Sequence, residues 1–309
     1  MKRLRPALKS LLGKKPIVPV PLSDRQLVIG LGAMKSGTTW LSDYLGSHPD
    51  FFHSPIKEMN SFAAIFPDNP RYPNYIYRPG ESYRLWRMEK IVLSFGANPS
   101  RVDRTDAERE RFDRLRALAQ LGRITSAEQY LAYFEERIGD QSHFGEISPS
   151  YSHLPAEAYA CMAGLSKDVR FLFLMRDPTD RAASHLRHAR RRVDKDEDLA
   201  ALVERVTPDS AFFIRSDYRY TLNTLRSLGF ESRVKCLIYE NLFSQDTVDE
   251  LCDWLGLQRS PATLDKRLNP GVGDSLDDAQ LHLLRERLAP IYDGLRHDPL
   301  TQEAVSWRW

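Results

Sequence analysis

The chain has 309 residues, of which 42% are hydrophobic and 28% charged, and its net charge is +2. This length accommodates one large α/β domain with insertions or two small domains. The near balance of charges argues against general nucleic-acid binding, and no apolar run approaches the length of a membrane span. The three cysteines, Cys161, Cys236 and Cys252, lie in apolar contexts and are expected to be reduced core residues rather than a disulfide frame or a metal site.

Residues 1–24 are predicted to form a basic flexible tail ahead of a domain that spans 25–309. Lys and Arg dominate residues 1–16, which contain neither an apolar core nor a cleavage site of a secretory signal. We therefore expect a cytoplasmic protein. A weak contact of residues 1–16 with an acidic surface or a membrane is the alternative interpretation.

The first motif is an apolar run followed by a turn of small residues. Residues 27–31 predict a buried strand, and residues 40–45 have helical spacing. A strand, a small-residue loop and a helix N-terminus together make an anion site, because the loop amides and the helix dipole both face the ligand. The sequence therefore predicts a phosphate-binding loop between these two elements.

The lysine of this loop is not where a nucleoside-triphosphate P-loop has it. That pattern requires lysine at the position of Thr38, whereas the lysine of this chain is Lys35. The form Lys-Ser-Gly-Thr-Thr-Trp-Leu resembles the 5′-phosphosulfate loop of the sulfotransferases that use 3′-phosphoadenosine 5′-phosphosulfate (PAPS). An incidental strand-to-helix turn is the alternative. The resemblance implies that the PAPS-binding residues of the loop are Lys35, Ser36, Gly37, Thr38, Thr39 and Trp40.

A second family-like segment follows the predicted second strand. Carbohydrate-type sulfotransferases have a Lys-Glu-x-x-Phe-Phe-like pattern here, matched by Lys57, Glu58 and Phe62, with Ser61 in place of the first aromatic residue. The resemblance implies that Glu58 is the base that deprotonates the acceptor, with Lys35 as the other catalytic residue. A surface carboxylate is the alternative for Glu58. His53 is the rival base, as in the branch that acts on small phenols.

The next stretch is heavily charged and has no clear counterpart in the family. Residues 82–123 predict a solvated helical insertion, with helical spacing over 106–121, and we expect it to contribute acceptor selectivity or partner contacts. Residues 126–138 predict an amphipathic helix with Ser126 as its N-cap.

The predicted third strand ends in Gly-Glu-Ile-Ser-Pro-Ser-Tyr. The family often has lysine where this chain has Ile147, so the role implied for that lysine, holding the sulfuryl group, is either missing or taken by another residue. Ser148 and Tyr151 are interpreted either as hydrogen-bonding groups near the acceptor or as parts of a strand-ending turn.

A longer apolar run carries the second strong motif. Residues 169–175 predict a central parallel strand, and Pro178 opens the following helix. Arg176 and Ser184 then lie at the C-terminal edge of the sheet, where parallel sheets bind ligands. Arg-Asp-Pro-x-x-Arg-x-x-Ser is similar to the 3′-phosphate signature of the same family, and a guanidinium suits a phosphate because it makes paired, charge-assisted hydrogen bonds. A local ion pair of Arg176 with Asp177 is the alternative.

Residues 234–242 predict a further strand, and residues 277–288 predict the last helix. One more assignment comes from the resemblance. The basic loop at 266–273 matches the region where the family closes a lid over the 3′-phosphate, which assigns Lys266 and Arg267 to that lid.

Together these motifs make the chain similar to the sulfotransferases over residues 25–290. We expect an α/β fold: a P-loop-like three-layer sandwich with a central parallel sheet of about five strands and helices on both faces. The resemblance implies sulfuryl transfer from PAPS, without a metal, to a hydroxyl or an amine of a carbohydrate, lipid or metabolite acceptor. The alternatives are a P-loop kinase, for which Asp177 is the candidate magnesium ligand, and a non-catalytic nucleotide-binding relative.

Overall fold

Five parallel strands form one sheet in the part of the chain that the structure describes. The computed structural model describes residues 22–67, 106–193, 198–264, 275–302, 304 and 307. The strands are β1 (Gln26–Gly32), β2 (Phe51–His53), β3 (His143–Ile147), β4 (Asp168–Met175) and β5 (Val234–Ile238). Their order across the sheet is β2-β3-β1-β4-β5, and every neighbouring pair is parallel.

Helices cover the sheet. In chain order the described helices are α1 (Thr38–Ser47), α2 (Ser61–Ile65), α3 (Asp106–Leu121), α4 (Ala127–Glu135), α5 (Ala156–Ala163), α6 (Pro178–Val193), α7 (Leu199–Glu204), α8 (Ala211–Ile214), α9 (Tyr218–Ser227), α10 (Gln245–Leu255) and α11 (Asp278–Leu295). Short 3-10 turns occupy Leu22–Asp24, Pro149–His153, Glu231–Arg233, Tyr239–Asn241 and Pro299–Thr301.

Both faces of the sheet are buried, because successive residues of the central strands belong to two different hydrophobic clusters. Leu27 and Ile29 of β1 and Phe171 of β4 pack in one cluster, with residues of α4, α5, α6, α9 and α11. Val28 of β1 and Leu172 of β4 pack in the other, with residues of α1 and α10. A parallel sheet covered on both faces explains the continuous apolar runs of the sequence. The predicted three-layer α/β fold is confirmed.

The parallel arrangement brings four connections to one edge of the sheet. The segments that follow β1, β2, β3 and β4 all leave from the C-terminal ends of their strands. β1 lies between β3 and β4, so its loop is flanked on one side by the segment after β3 and on the other by the segment after β4. This edge holds most of the residues that the motifs single out.

The structure corrects two predicted boundaries. The last helix, predicted to end near Leu288, runs on to Leu295 through Pro290, because Ile291 and Leu295 are both fully buried in the core. Packing here outweighs the lost hydrogen bond at the proline. The strand predicted over residues 234–242 ends at Ile238, where a 3-10 turn takes over.

Two predicted helices are confirmed. The helical spacing over 106–121 corresponds to α3, and Ser126 caps α4 by accepting a hydrogen bond from the Gln129 amide. Residues 1–21 and 82–105 lie outside the described residues, so the tail and most of the charged insertion stay predictions. The three cysteines are free thiols. Within the described ranges no helix is both long and apolar enough to cross a bilayer.

Candidate active site

The loop between β1 and α1 has the backbone shape of an anion cradle. Lys35 has a φ of 73° and Gly37 a φ of 89°, so the chain turns sharply before the helix begins. A Cβ on Gly37 would lie 2.8 Å from Leu242 Cδ2 and 3.0 Å from the Tyr239 ring. Only glycine therefore fits this position, for both conformation and space.

Helix α1 begins without a side-chain cap. The N-cap residue, Gly37, has no side chain that could accept a hydrogen bond from the first amides, and no acidic residue lies in the first turn. The amides of this turn therefore lack a side-chain acceptor from the helix itself, and the positive end of the helix dipole lies at the loop. Thr38 is buried, and Thr39 accepts a hydrogen bond from the Lys57 ammonium.

Positive charges converge on the loop. Burial lowers the pKa of the Lys35 ammonium, and four guanidinium groups lower it further: those of Arg191, Arg176, Arg181 and Arg187. Burial and the charge of Arg176 likewise lower the pKa of Arg187. Like charges held close together destabilise a protein unless an anion compensates them, so this cluster indicates an anion site.

Arg176 lies at the C-terminal end of β4, on the β4 side of the loop. Its guanidinium packs 4.5 Å from the centroid of the Tyr239 ring, and its Nη2 is 4.0 Å from an Asp180 carboxylate oxygen. Its Nε is buried and has no hydrogen-bond partner among the described residues. Ser184 is half-buried on α6, at the i+4 position from Asp180 and hence on the same helix face. The structure thus leaves a buried guanidinium donor without an acceptor among the described residues.

The other two charged residues of the Arg-Asp-Pro motif hold the fold together. Arg181 is fully buried, and its guanidinium donates to Ser216 Oγ at 2.7 Å and to the Phe212 carbonyl at 2.6 Å. Asp177 accepts from the Thr179 amide at 2.9 Å and from the Tyr292 hydroxyl at 2.7 Å. Asp177 is therefore engaged in starting α6 and in anchoring α11, which disfavours it as a magnesium ligand.

On the opposite side of the loop, Glu58 lies on a tightly held segment after β2. Ile56 and Met59 are buried, whereas the side chains of Lys57 and Glu58 between them are each 32% exposed. Glu58 has a φ of 56° and Asn60 a φ of 55°. Two non-glycine residues in the left-handed region are costly, so this shape must be imposed by the surroundings.

Side chains at the end of β3 impose that shape. The amide of Met59 donates to Glu146 Oε2 at 3.3 Å, and the amide of Asn60 donates to Ser148 Oγ at 2.9 Å. The amide of Phe62 donates to the Tyr151 hydroxyl at 3.3 Å. Three amides of the segment are thus bound by one neighbouring strand end.

Glu146 is the centre of this network. It is fully buried and accepts from Ser148 Oγ and the Tyr151 hydroxyl, each at 2.6 Å. Burial raises its pKa to about 7, while these two hydrogen bonds oppose the increase. Sequence reasoning assigned no role to Glu146. The signal was a glutamate inside an otherwise apolar strand, which a structure can bury only when the carboxyl is hydrogen-bonded.

His53, the rival base, is hydrogen-bonded at both ring nitrogens. Its Nδ1 lies 2.8 Å from the Ser54 carbonyl oxygen, which can only accept, so Nδ1 carries the proton. Its Nε2 then accepts from Ser42 Oγ at 3.0 Å, and burial lowers its pKa. Both nitrogens are occupied within the protein, which favours Glu58 over His53 as a proton acceptor.

Comparisons with known proteins identify the family of this chain. A family model described as "Sulfotransferase family" matches residues 28–261. The chain belongs to the sulfotransferase family. A search of curated protein sequences finds no significant match.

A search of solved structures finds similar chains, and the first of those described here supports the fold. The sulfotransferase from Alicyclobacillus acidocaldarius aligns with a TM-score of 0.59 at 18% identity, over 91% of this chain and 96% of that one. The sulfotransferase domain of the Synechococcus PCC 7002 olefin synthase aligns with a TM-score of 0.48 at 16% identity, over 92% and 98%. The sulfotransferase domain from the curacin biosynthetic pathway aligns with a TM-score of 0.47 at 15% identity, over 91% and 99%.

The other residues predicted to bind the cofactor of this sulfotransferase are either engaged in the fold or outside the described residues. The Trp40 indole is stacked on Tyr44 in the core, and its N–H donates to the Thr263 carbonyl at 2.9 Å, so the side chain is engaged within the fold. Ser36 is fully buried. Lys266 and Arg267 lie outside the described residues, and the lid stays a prediction.

Proposed function

We propose that this sulfotransferase moves the sulfuryl group of PAPS to a hydroxyl, or an amine, of its acceptor and releases adenosine 3′,5′-bisphosphate (PAP). The observation that carries the proposal is the buried Nε of Arg176, which no described residue binds. An unpaired buried guanidinium donor is unfavourable, and a phosphate oxygen would satisfy it. Arg176, with Ser184 on the same side, is assigned to the 3′-phosphate.

The loop fits the phosphosulfate end of the same molecule. Gly37 allows the left-handed turn that leads into α1, and the uncapped amides of α1 need acceptors. Lys35 would hold the 5′-phosphate, together with the amides and the hydroxyls of Thr38 and Thr39. Burial and the surrounding guanidinium charges lower the pKa of Lys35, and a bound dianion would offset the effect of those charges.

The reaction is an in-line displacement at sulfur. The acceptor oxygen forms a bond to sulfur while the bond between sulfur and the bridging oxygen breaks, and the electron pair leaves on the 5′-phosphate of PAP. Lys35 and the helix amides stabilise the charge that develops on that phosphate. Glu58 takes the acceptor proton. The acceptor is a carbohydrate-, lipid- or metabolite-borne group.

Ligand-induced stabilisation tests the proposal. PAP and PAPS should raise the melting temperature, and the shift should grow with ligand concentration, because a ligand that binds only the folded state stabilises it in proportion to ln(1 + [L]/Kd). ATP with magnesium should give a much smaller shift, since Thr38 replaces the P-loop lysine and Asp177 is engaged in the fold.

The alternatives predict different results. Equal stabilisation by ATP with magnesium would favour the kinase. Stabilisation by PAPS without any transfer of label from PAPS to fractionated cell extract would favour a non-catalytic relative.

A further inference from the structure

Ile147 occupies the position at which the resemblance to the family implies a sulfuryl-binding lysine. It is 1% exposed and packs in the hydrophobic cluster that contains Trp40 and Leu41. A Cβ added to Gly30 would lie 2.6 Å from two of its carbon atoms. The end of β3 therefore supplies no cation to the loop through this residue.

Lys57, on the segment that follows β2, places a positive charge at the N-terminal end of α1. Its Nζ contacts the hydroxyl of Thr39, the second residue of α1, and lies 4.0 Å from a carboxylate oxygen of Glu58. The ammonium is thus between the first turn of the helix and the proposed base. Lys57 is 18 residues from Thr39 in the chain, so only the folded sheet edge brings them together.

The segment that carries Lys57 is held in place. Ile56 and Met59 are buried on either side of the Lys57–Glu58 pair, and the Met59 amide is bound by Glu146. A short, fixed segment of this kind restricts where the ammonium can lie. The backbone on either side of Lys57 is fixed by buried contacts and its ammonium is bound to Thr39, so the charge is preorganised.

We propose that Lys57 supplies the cation on the sulfuryl side of the site, and that it takes the role of the lysine that Ile147 replaces in this chain. The inference rests on the proposed function. Arg176 follows β4, on one side of the β1 loop. Lys57 follows β2, on the other side of that loop. If the 3′-phosphate is at Arg176, the opposite end of the donor, with its sulfuryl group and the acceptor, lies toward Lys57 and Glu58.

The proposed reaction requires a positive charge near the sulfuryl group. As the acceptor or water bonds to sulfur and the bond to the 5′-phosphate breaks, negative charge is shared by the sulfuryl oxygens and the bridging oxygen. An ammonium beside the first turn of α1 stabilises the negative charge of the transition state more than it stabilises the bound donor before reaction. Lys57 would act as a catalytic residue that contacts the sulfuryl group, and it would leave the binding of PAP unchanged.

The test compares Lys57→Met with Lys57→Arg and with Lys167→Met. Methionine has nearly the same length without the charge, arginine keeps the charge, and Lys167 is an exposed lysine that pairs with Asp24 away from the loop. For each protein we would measure the melting temperature without ligand, the affinities for PAP and PAPS, and the release of labelled sulfate from PAPS to water.

Lys57→Met should bind PAP within about twofold of wild type, bind PAPS about tenfold or more weaker, and lose about 10²-fold in sulfate release. Lys57→Arg should recover a large part of both losses, and Lys167→Met should behave as wild type. Equal weakening of PAP and PAPS, or unchanged PAPS affinity and sulfate release in Lys57→Met, would overturn the inference. If wild type preferred neither PAP nor PAPS over ATP with magnesium, the proposed function would fail instead.

Discussion

Glu58 owes its position to its neighbours in the chain and in the sheet. Its backbone is in the left-handed region, the residues on either side of the Lys57–Glu58 pair are buried, and the Met59 amide is fixed by Glu146. The carboxylate therefore points out of a segment that cannot easily rearrange. Such fixed geometry is what a general base requires, because proton transfer depends on hydrogen-bond distance to the acceptor.

Replacing Glu58 by glutamine should remove the base and keep the site intact. Glutamine has the same shape but does not accept a proton at neutral pH, so turnover should fall by ~10²–10⁴-fold while PAP affinity stays near that of wild type. Transfer of labelled sulfuryl groups and a direct binding measurement with PAP provide the two readouts. Nearly full turnover in Glu58→Gln would contradict the assignment.

His53→Ala is the matched comparison. We expect it to lower stability, because it removes two hydrogen bonds next to α1, and to leave turnover close to that of wild type once the protein is folded. An inactive His53→Ala that binds PAP normally, beside an active Glu58→Gln, would transfer the role of base to the histidine.

Among the elements, the end of β3 contributes most to the site, although it supplies no residue that faces the ligand in our proposal. Ser148 and Tyr151, for which the sequence left two interpretations, are both fully buried and bonded to Glu146. Through these side chains one strand end determines the path of the neighbouring segment. The element acts as a template for Glu58 and Lys57.

This template predicts a pH dependence of stability. The pKa of Glu146 in the folded protein is about 7, above the ordinary value of 4.5, so its contribution is fully favourable only at low pH and is lost as the pH rises through 7. Between about pH 5 and pH 8, wild type should therefore lose about 2–3 kcal/mol of unfolding free energy relative to Glu146→Gln, which does not titrate. Urea denaturation of both proteins across this range measures the difference, and parallel curves would refute it.

The elements also show what the sequence could and could not predict. β1, β4 and α4 were recognised because their apolar spacing and caps are local signals. The full length of α11 was missed because Pro290 is a local stop signal that core packing overrides. The network around Glu146 and the contact of Lys57 with Thr39 were missed because they join residues that only the parallel sheet brings together.

For the molecule as a whole, the overall charge conceals a strongly polarised site. The net charge is only +2, yet the charges of four arginines act on Lys35 at one edge of the sheet. A net charge near zero argues against a polyanionic partner. It does not bear on a small anion, which needs positive charge at one place only. The fold concentrates positive charge where α1 begins, and the two sequence motifs located that place because each follows a central strand.

If one ligand spans this edge, its two ends should respond to different mutations. Arg176→Ala should weaken binding of PAP by about 2–5 kcal/mol, the usual cost of removing one partner of a buried charged pair. Adenosine 5′-phosphosulfate, which has no 3′-phosphate, should lose far less affinity. Calorimetric titration of both ligands measures the difference, with Arg259→Ala as a control, since Arg259 pairs with Asp253 on the exposed side of α10. Equal weakening of both ligands by Arg176→Ala would mean that Arg176 stabilises the fold and that the 3′-phosphate binds elsewhere.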